Sequence, residues 1–210
     1  MQIGIDLGAT KIEYVILDDN GEEILREREI SPTDYQGTID SIFKIVEKLD
    51  KKFSKKFDTG ICHPGSISND TGFLKNAVNS PWMNNKPFQS DISKKLNRNV
   101  ICENDANCFA LSEAIDGSAK HYDIVFGIIL GSGCGGGVIV NKKILKGANN
   151  LSGEWGKIKF KDQDIEAYLS GNSISRRFNE IFKKNIKAHE IFDLYRKKNI
   201  EAQKYIEEYK

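Results

Sequence analysis

No stretch of this chain approaches the roughly 20 consecutive apolar residues needed to cross a bilayer, so no membrane partner is expected. Charge of one sign is equally scarce. The 31 basic and 30 acidic residues leave a net charge of +1, scattered apart from Lys51, Lys52, Lys55 and Lys56, which read as a solvated helix end and not as a nucleic-acid patch. Cysteine is sparse too: Cys62, Cys102, Cys108 and Cys134 show no CxxC spacing. Met1 is followed at once by strand-like residues, without a leader, so a reduced, cytoplasmic protein is expected. What is present is a 39% hydrophobic chain of 210 residues, long enough for a real core and intermediate between one large domain and two small ones.

The chain is organised around Cys102 to Ala114. An apolar strand at Val100 and Ile101 ends at Glu103, and Phe109, Ala110 and Ala114 then recur at helical spacing. Asn104 and Asp105 therefore fall at a helix N-terminus, where unpaired N–H groups and the helix dipole favour an anion. Such a carboxylate suits a general base that accepts a proton from a substrate hydroxyl, and equally a capping aspartate.

Near the start, Gln2–Asp6 reads as a strand, Leu7–Thr10 as a tight turn and Lys11–Leu17 as a returning strand. Gly8 leaves backbone bare for an anion, Thr10 adds a hydroxyl, and Asp6 offers a carboxylate where a Mg²⁺ shell would sit. The pattern repeats: a shift of 123 residues lays Gly4, Ile5, Leu7, Gly8, Val15 and Ile16 on Gly127, Ile128, Leu130, Gly131, Val138 and Ile139. The second copy holds five glycines between Gly131 and Gly137, more than a hairpin needs, and close approach of a phosphate is the expected reason. Two similar α/β halves, each with a glycine hairpin, describe the duplicated, ribonuclease H-like architecture of the actin, hexokinase and Hsp70 class. The expected division is an N-terminal α/β domain at 1–115 and a C-terminal one at 116–210.

Between the hairpins, Ile39, Ile42, Phe43, Val46, Leu49 and Phe53 mark an amphipathic helix on the first sheet. Phe57–Cys62 reads as a strand leading into the turn at His63–Ser66, where an unpartnered histidine is normally structural. Asn76 to Trp82 joins amides to an indole, as a sugar site or an ordinary loop does. Glu154 and Glu166 each stand among small residues, either to accept hydrogen bonds from a polyol or as surface acids. From Ser173 the chain is helical, with Ile174, Phe178, Ile181 and Phe182 expected on one packing face and a last helix running to Lys210.

Five ordered stretches resemble the ROK family of bacterial sugar kinases: Gly4–Lys11, Pro64–Ser68, Glu103–Ala114, Leu130–Gly137 and Gly153–Gly156. Within that family the likeness is to fructokinases and manno(fructo)kinases. The resemblance implies ATP-dependent phosphorylation of a hexose, with fructose expected and mannose, glucose or an N-acetylhexosamine as alternatives. It implies that Asp105 takes the proton of the attacking sugar hydroxyl, that Asn79, Asn104, Glu154 and Glu166 hold sugar hydroxyls, and that Gly65 shapes the pocket. Asp6, Gly8, Thr10, Lys11, Gly131, Ser132 and Gly133 would face the ATP phosphates and Mg²⁺, Asp6 touching the metal only indirectly. Phosphoryl transfer asks mainly for positioning and charge neutralisation, which such a set can supply.

Three departures from the family pattern shape the expectations. Lys157 stands where family members carry a histidine, and no cysteine follows Cys134, so no structural zinc is expected. His63 replaces an apolar residue ahead of Pro64. The family's adenosine-holding glycine motif and closing helix have no counterpart in the sequence, so the second domain is expected to be incomplete, leaving apolar surface that a homodimer would bury. A sugar-binding protein of kinase descent that does not turn over is the alternative reading. The family's transcriptional repressors carry a DNA-binding segment ahead of the first strand, which here opens the sequence.

Overall fold

The computed structural model describes residues 1–209, in two compact units: Met1–Phe109 with Lys146–Ser152, and Ala110–Leu145 with Gly153 onward. The units part inside a helix, after its first turn and a half. In the first unit β1 (Gln2–Leu7), β2 (Lys11–Leu17) and β3 (Glu23–Ile30) form an antiparallel meander. After α1 (Tyr35–Phe53), β4 (Asp58–His63) pairs parallel to β1. The two-residue strands β5 (Ser66–Ile67) and β6 (Leu74–Lys75) make a small hairpin. Then come α2 (Phe88–Leu96) and β7 (Val100–Asn104), which closes the sheet in the order β3-β2-β1-β4-β7.

Each element follows from its residues. β1 and β2 alternate buried and open positions, so Ile3, Ile5, Ile12, Tyr14 and Ile16 face the core. β3 is an edge strand, and its Arg26 and Arg28 reach across to Glu13 while Glu27 holds Lys48, charges that discourage another strand from pairing there. α1 starts where Asp34 accepts the Gly37 N–H at 2.7 Å and buries Ile39, Ile42, Ile45, Val46 and Leu49 on the sheet. Arg98 pairs with Asp50 and donates to the Phe57 carbonyl at 2.8 Å, fastening the start of β4.

α3 (Asp105–Ile115) leaves β7 directly. The second unit then carries β8 (Ile124–Leu130), β9 (Cys134–Val140) and β10 (Lys143–Ile144) as an antiparallel sheet in the order β10-β9-β8. The β8–β9 hairpin repeats the antiparallel plan of β1–β2 with a turn one residue shorter: Gly4 faces Val15, whereas its counterpart Gly127 faces Gly137. β8 is an edge strand, and Ile124, Phe126, Ile128 and Leu130 on it are exposed. The short hairpin β11 (Lys159–Phe160) and β12 (Gln163–Asp164) precedes one helical turn, α4 (Glu166–Leu169).

Three closing helices, α5 (Gly171–Phe182), α6 (Ala188–Arg196) and α7 (Ile200–Tyr209), share their own core of Ile174, Phe178, Ile191, Ala202, Tyr205 and Ile206. Ile181 departs from the expected packing face: α5 turns Phe178 and Phe182 inward and leaves Ile181 in water. The expected run of the last helix to Lys210 lies outside the described residues.

Candidate active site

The first unit gathers its polar side chains at the junction of β7 and α3. The sequence offers Asp105 as cap or base, and the structure separates the two jobs. Asn104 is the cap: its Oδ1 accepts the N–H groups of Ala106 and Asn107 at 3.0 and 3.1 Å. Its Nδ2 donates to the Gly65 carbonyl at 2.9 Å and to Asp105 Oδ1 at 3.0 Å, and that Oδ1 also takes the Ala106 N–H at 2.8 Å. Asp105 is thus oriented through one carboxylate oxygen while its side chain stays open to solvent. Crowding by protein strips water from the carboxyl and raises its pKa above the usual aspartate value; the negative Asp6 adds to the rise, and the Ala106 N–H and Asn104 oppose it. A carboxylate with raised proton affinity that is accessible to a ligand is suited to accept a proton.

Asp6 stands one residue before the end of β1, and its own pKa is raised, by partial burial and then by Glu13. The neighbouring turn is tighter than the sequence suggests. The Gly8 N–H is spent on the Lys11 carbonyl at 2.9 Å, and the Gly8 carbonyl accepts the Ser31 hydroxyl at 2.6 Å. Bare backbone at Gly8 therefore closes the hairpin, and the open groups of the turn are the exposed side chains of Thr10 and Lys11. Gly65 adopts φ +79°, and a Cβ there would lie 2.3 Å from the Lys75 carbonyl oxygen, so only glycine lets this turn hold the amide of Asn104. Asn79 is exposed in the loop after β6.

His63 is a core residue. It is 0% exposed, packs edge-on against Phe88 at 5.8 Å, and its Nδ1 lies 3.2 Å from the Pro64 carbonyl, which assigns the proton to Nδ1. Burial lowers its pKa, so it is neutral at pH 7. Sequence reasoning passes over Glu103 and Lys146, which pair at 2.8 Å; Glu103 also accepts from the Asn104 N–H and the Asn107 amide and so braces the first turn of α3. Burial alone would raise the Glu103 pKa, but Lys146 and these hydrogen bonds hold it below the usual glutamate value.

In the second unit the glycine-rich run serves packing more than bare approach. A Cβ at Gly136 would meet the Trp155 ring at 2.7 Å, one at Gly153 the Gly136 carbonyl at 2.6 Å, and one at Gly133 the Glu166 carboxylate at 2.5 Å. Trp155 donates its indole N–H to the Gly135 carbonyl at 2.7 Å. Gly131, whose N–H bonds to Gly133, has open space beside it, so Gly131 and Ser132 form the accessible tip of the turn. Glu166 is engaged at both oxygens: Oε2 accepts the Cys134 N–H at 2.8 Å and Oε1 pairs with Lys157 at 2.8 Å. Some burial opposes ionisation of Glu166, and Lys157 and the Cys134 N–H outweigh it and lower the pKa. Glu166 and Ser132 both line a cleft of about 460 Å³. Glu154 stands at the N-cap of the short turn Trp155–Lys157. The structure thus brings Asp6, Gly65, Asn104 and Asp105 into the first unit, and Gly131, Ser132, Gly133, Glu154 and Glu166 into the second.

Folds of this duplicated α/β kind, with the sheet order β3-β2-β1-β4-β7 in the first unit, belong to the actin and hexokinase class. A ROK hexokinase from Thermus thermophilus superposes with a TM-score of 0.83 at 21% identity, covering 98% of this chain and 72% of that one. A ROK family glucokinase from Streptomyces griseus, solved with glucose and AMPPNP, superposes with a TM-score of 0.78 at 23% identity, over 97% of this chain and 73% of that one. An N-acetyl-D-glucosamine kinase of Haemophilus influenzae is 33% identical over 98% of this chain and 75% of its own length. The ROK family model matches residues 2–210, and the chain belongs to the ROK family.

Proposed function

We propose that the protein phosphorylates a hexose with ATP, using Asp105 as the general base. The observation that carries this reading is the division of labour at the start of α3, where Asn104 caps the helix and Asp105 is left oriented, accessible and raised in proton affinity. The sugar hydroxyl would pass its proton to Asp105 as its oxygen attacks the γ-phosphoryl group in line. Asn104, Asn79, Glu154 and Glu166 would hold sugar hydroxyls, with Gly65 setting the position of Asn104. Lys11 and Thr10 of the first hairpin, with Gly131, Ser132 and Gly133 of the second, would take the phosphates.

Asp6 raises the cost of ionising Asp105, and hard carboxylate oxygens of this kind fit Mg²⁺. Among the described residues no group of three His, Cys, Asp or Glu forms a metal cage, so the ion would arrive with ATP and meet Asp6 through water. Bound there, Mg²⁺–ATP supplies charge neutralisation on the transferred group.

Fructose is the substrate that the motif likeness suggests, whereas the curated relatives carry the name N-acetyl-D-glucosamine kinase, which favours an N-acetylhexosamine. Lys157, tied to Glu166, bears on that choice. A coupled assay of ADP release over N-acetylglucosamine, N-acetylmannosamine, glucose, mannose and fructose tests both levels. N-acetylglucosamine should give the highest kcat/KM. Calorimetric binding of a sugar without ADP release would establish instead the sugar-binding protein without turnover.

A further inference from the structure

We propose that Cys62 and Cys108 form a dithiol site beside Asp105 that a peroxide oxidises to a disulfide. Cys62 sits in a row across the parallel strands, with Asp6 opposite it on β1 and Glu103 opposite it on β7. Residues facing each other in such a ladder project to the same side of the sheet. Cys108 lies three residues after Asp105 on α3, on the same helical face, and its thiol is in hydrogen-bond contact with that of Cys62. Both thiols are free and half-buried, so a small oxidant can reach them. Cys102 is buried on β7, and Cys134 is buried in the second unit.

The hydrogen bond from Cys108 lowers the pKa of Cys62 and raises that of Cys108, which makes Cys62 the first nucleophile. The Cys62 thiolate attacks one oxygen of hydrogen peroxide, the O–O bond breaks, and the departing hydroxide leaves as water with the thiol proton. The Cys108 sulfur then attacks the resulting sulfenic acid, the S–O bond breaks, and a second water carries off the remaining proton. Two thiols give up two electrons, and one peroxide becomes two waters.

Bonding draws Cys108, and with it the first turn of α3, toward β4. That turn carries Asp105, and a displacement near 1 Å at a reacting group costs on the order of 10²-fold in rate. This consequence for turnover rests on the role proposed for Asp105; the disulfide itself does not.

The test treats the reduced protein with hydrogen peroxide and maps cysteines by mass spectrometry, alongside turnover with the best sugar. The expected product joins Cys62 to Cys108, with Cys102 and Cys134 still reduced. Turnover should fall roughly 10²-fold and return with dithiothreitol. In Cys108→Ser, Cys62 should stop at a sulfenic acid that dimedone traps, and Cys62→Ser should keep its turnover through the same treatment. Oxidation landing on Cys102 or Cys134, or bonds between molecules, would overturn the site. A Cys62–Cys108 disulfide with unchanged turnover would overturn its effect on Asp105. Absence of turnover in the reduced protein would count against the kinase reading, while the peptide map still decides the dithiol.

Discussion

Replacing Gly65 by alanine tests whether the turn after β4 sets the position of the proposed base. Two costs add. The backbone sits at φ +79°, where an L side chain costs about 1–2 kcal/mol. The new Cβ would also lie 2.3 Å from the Lys75 carbonyl oxygen, 2.8 Å from the Ala77 nitrogen and 3.0 Å from the Asn76 carbonyl carbon. All three are backbone atoms that cannot swing aside, and such overpacking costs about 1–3 kcal/mol. The sum, about 2–5 kcal/mol, lowers Tm by several degrees in a chain of this size. The damage should then spread. Gly65 accepts the Asn104 amide at 2.9 Å, and Asn104 caps α3 and orients Asp105, so moving the turn moves the carboxylate. A loss of ~10²-fold in kcat, beyond what stability explains, is expected. Two glycines serve as controls under thermal denaturation and the ADP-release assay. Gly21 has φ +84° but nothing within 4 Å, so Gly21→Ala should show the φ cost alone and keep its turnover. Gly60 has neither a positive φ nor a neighbour in that range, so Gly60→Ala should be close to neutral. If Gly65→Ala loses no more stability than Gly21→Ala, or loses stability while kcat holds, the reasoning fails.

Asp105→Asn should cut turnover by ~10²-fold or more, and because the ionised Asp105 is disfavoured in the fold, Tm at pH 7 should hold or rise. Turnover within a few-fold of the parent would remove Asp105 from its role. The sign of the pH effect follows from the raised pKa. The base is active only when ionised, so kcat/KM should rise with pH through a limb above the usual aspartate value of 3.8, and carboxyl NMR of Asp6→Asn should show the Asp105 titration moved to lower pH. An unmoved titration would mean that Asp6 does not act on Asp105. Elemental analysis should find well under one zinc per chain, and a chelator should leave Tm unchanged, because the segment 157–165 holds no Cys or His to bind it.

The parts legible in the sequence were those where one face dominates. β1, β2 and α1 alternate or recur cleanly, and the β1–β2 hairpin is repeated in β8–β9. β3 was not legible, because Glu23–Ile30 keeps its apolar Ile24, Leu25 and Ile30 at the two ends and fills the middle with Arg26, Glu27, Arg28 and Glu29, so no face alternates. α2 escaped for the opposite reason, its few apolar anchors, Phe88, Ile92 and Leu96, being spread over only nine residues. At the site, residue types pointed to the β7–α3 junction, but the choice of Asn104 over Asp105 as cap depends on which side chain reaches back to Ala106 and Asn107. The glycines of β9 show the same limit. Their purpose depends on Trp155 and Gly153, close in space to Gly136 though far along the chain. The brace from Lys146 to Glu103 is likewise a long-range fact, and nothing near either residue announces it.

β8 carries a consequence for how the protein behaves in the tube. Its Phe126, Ile128 and Leu130 are 48%, 48% and 57% exposed, whereas their repeat counterparts Ile3, Ile5 and Leu7 are 1%, 2% and 5% exposed in the first unit. An open strand edge flanked by apolar side chains is a template on which further strands add, so association should be a property of concentration and time. Sedimentation should show slow growth of large species at high protein concentration, and Ile128→Lys should suppress it without touching Asp105. Any melting temperature measured on the unaltered chain then carries a dilution dependence that belongs to that edge and not to either core.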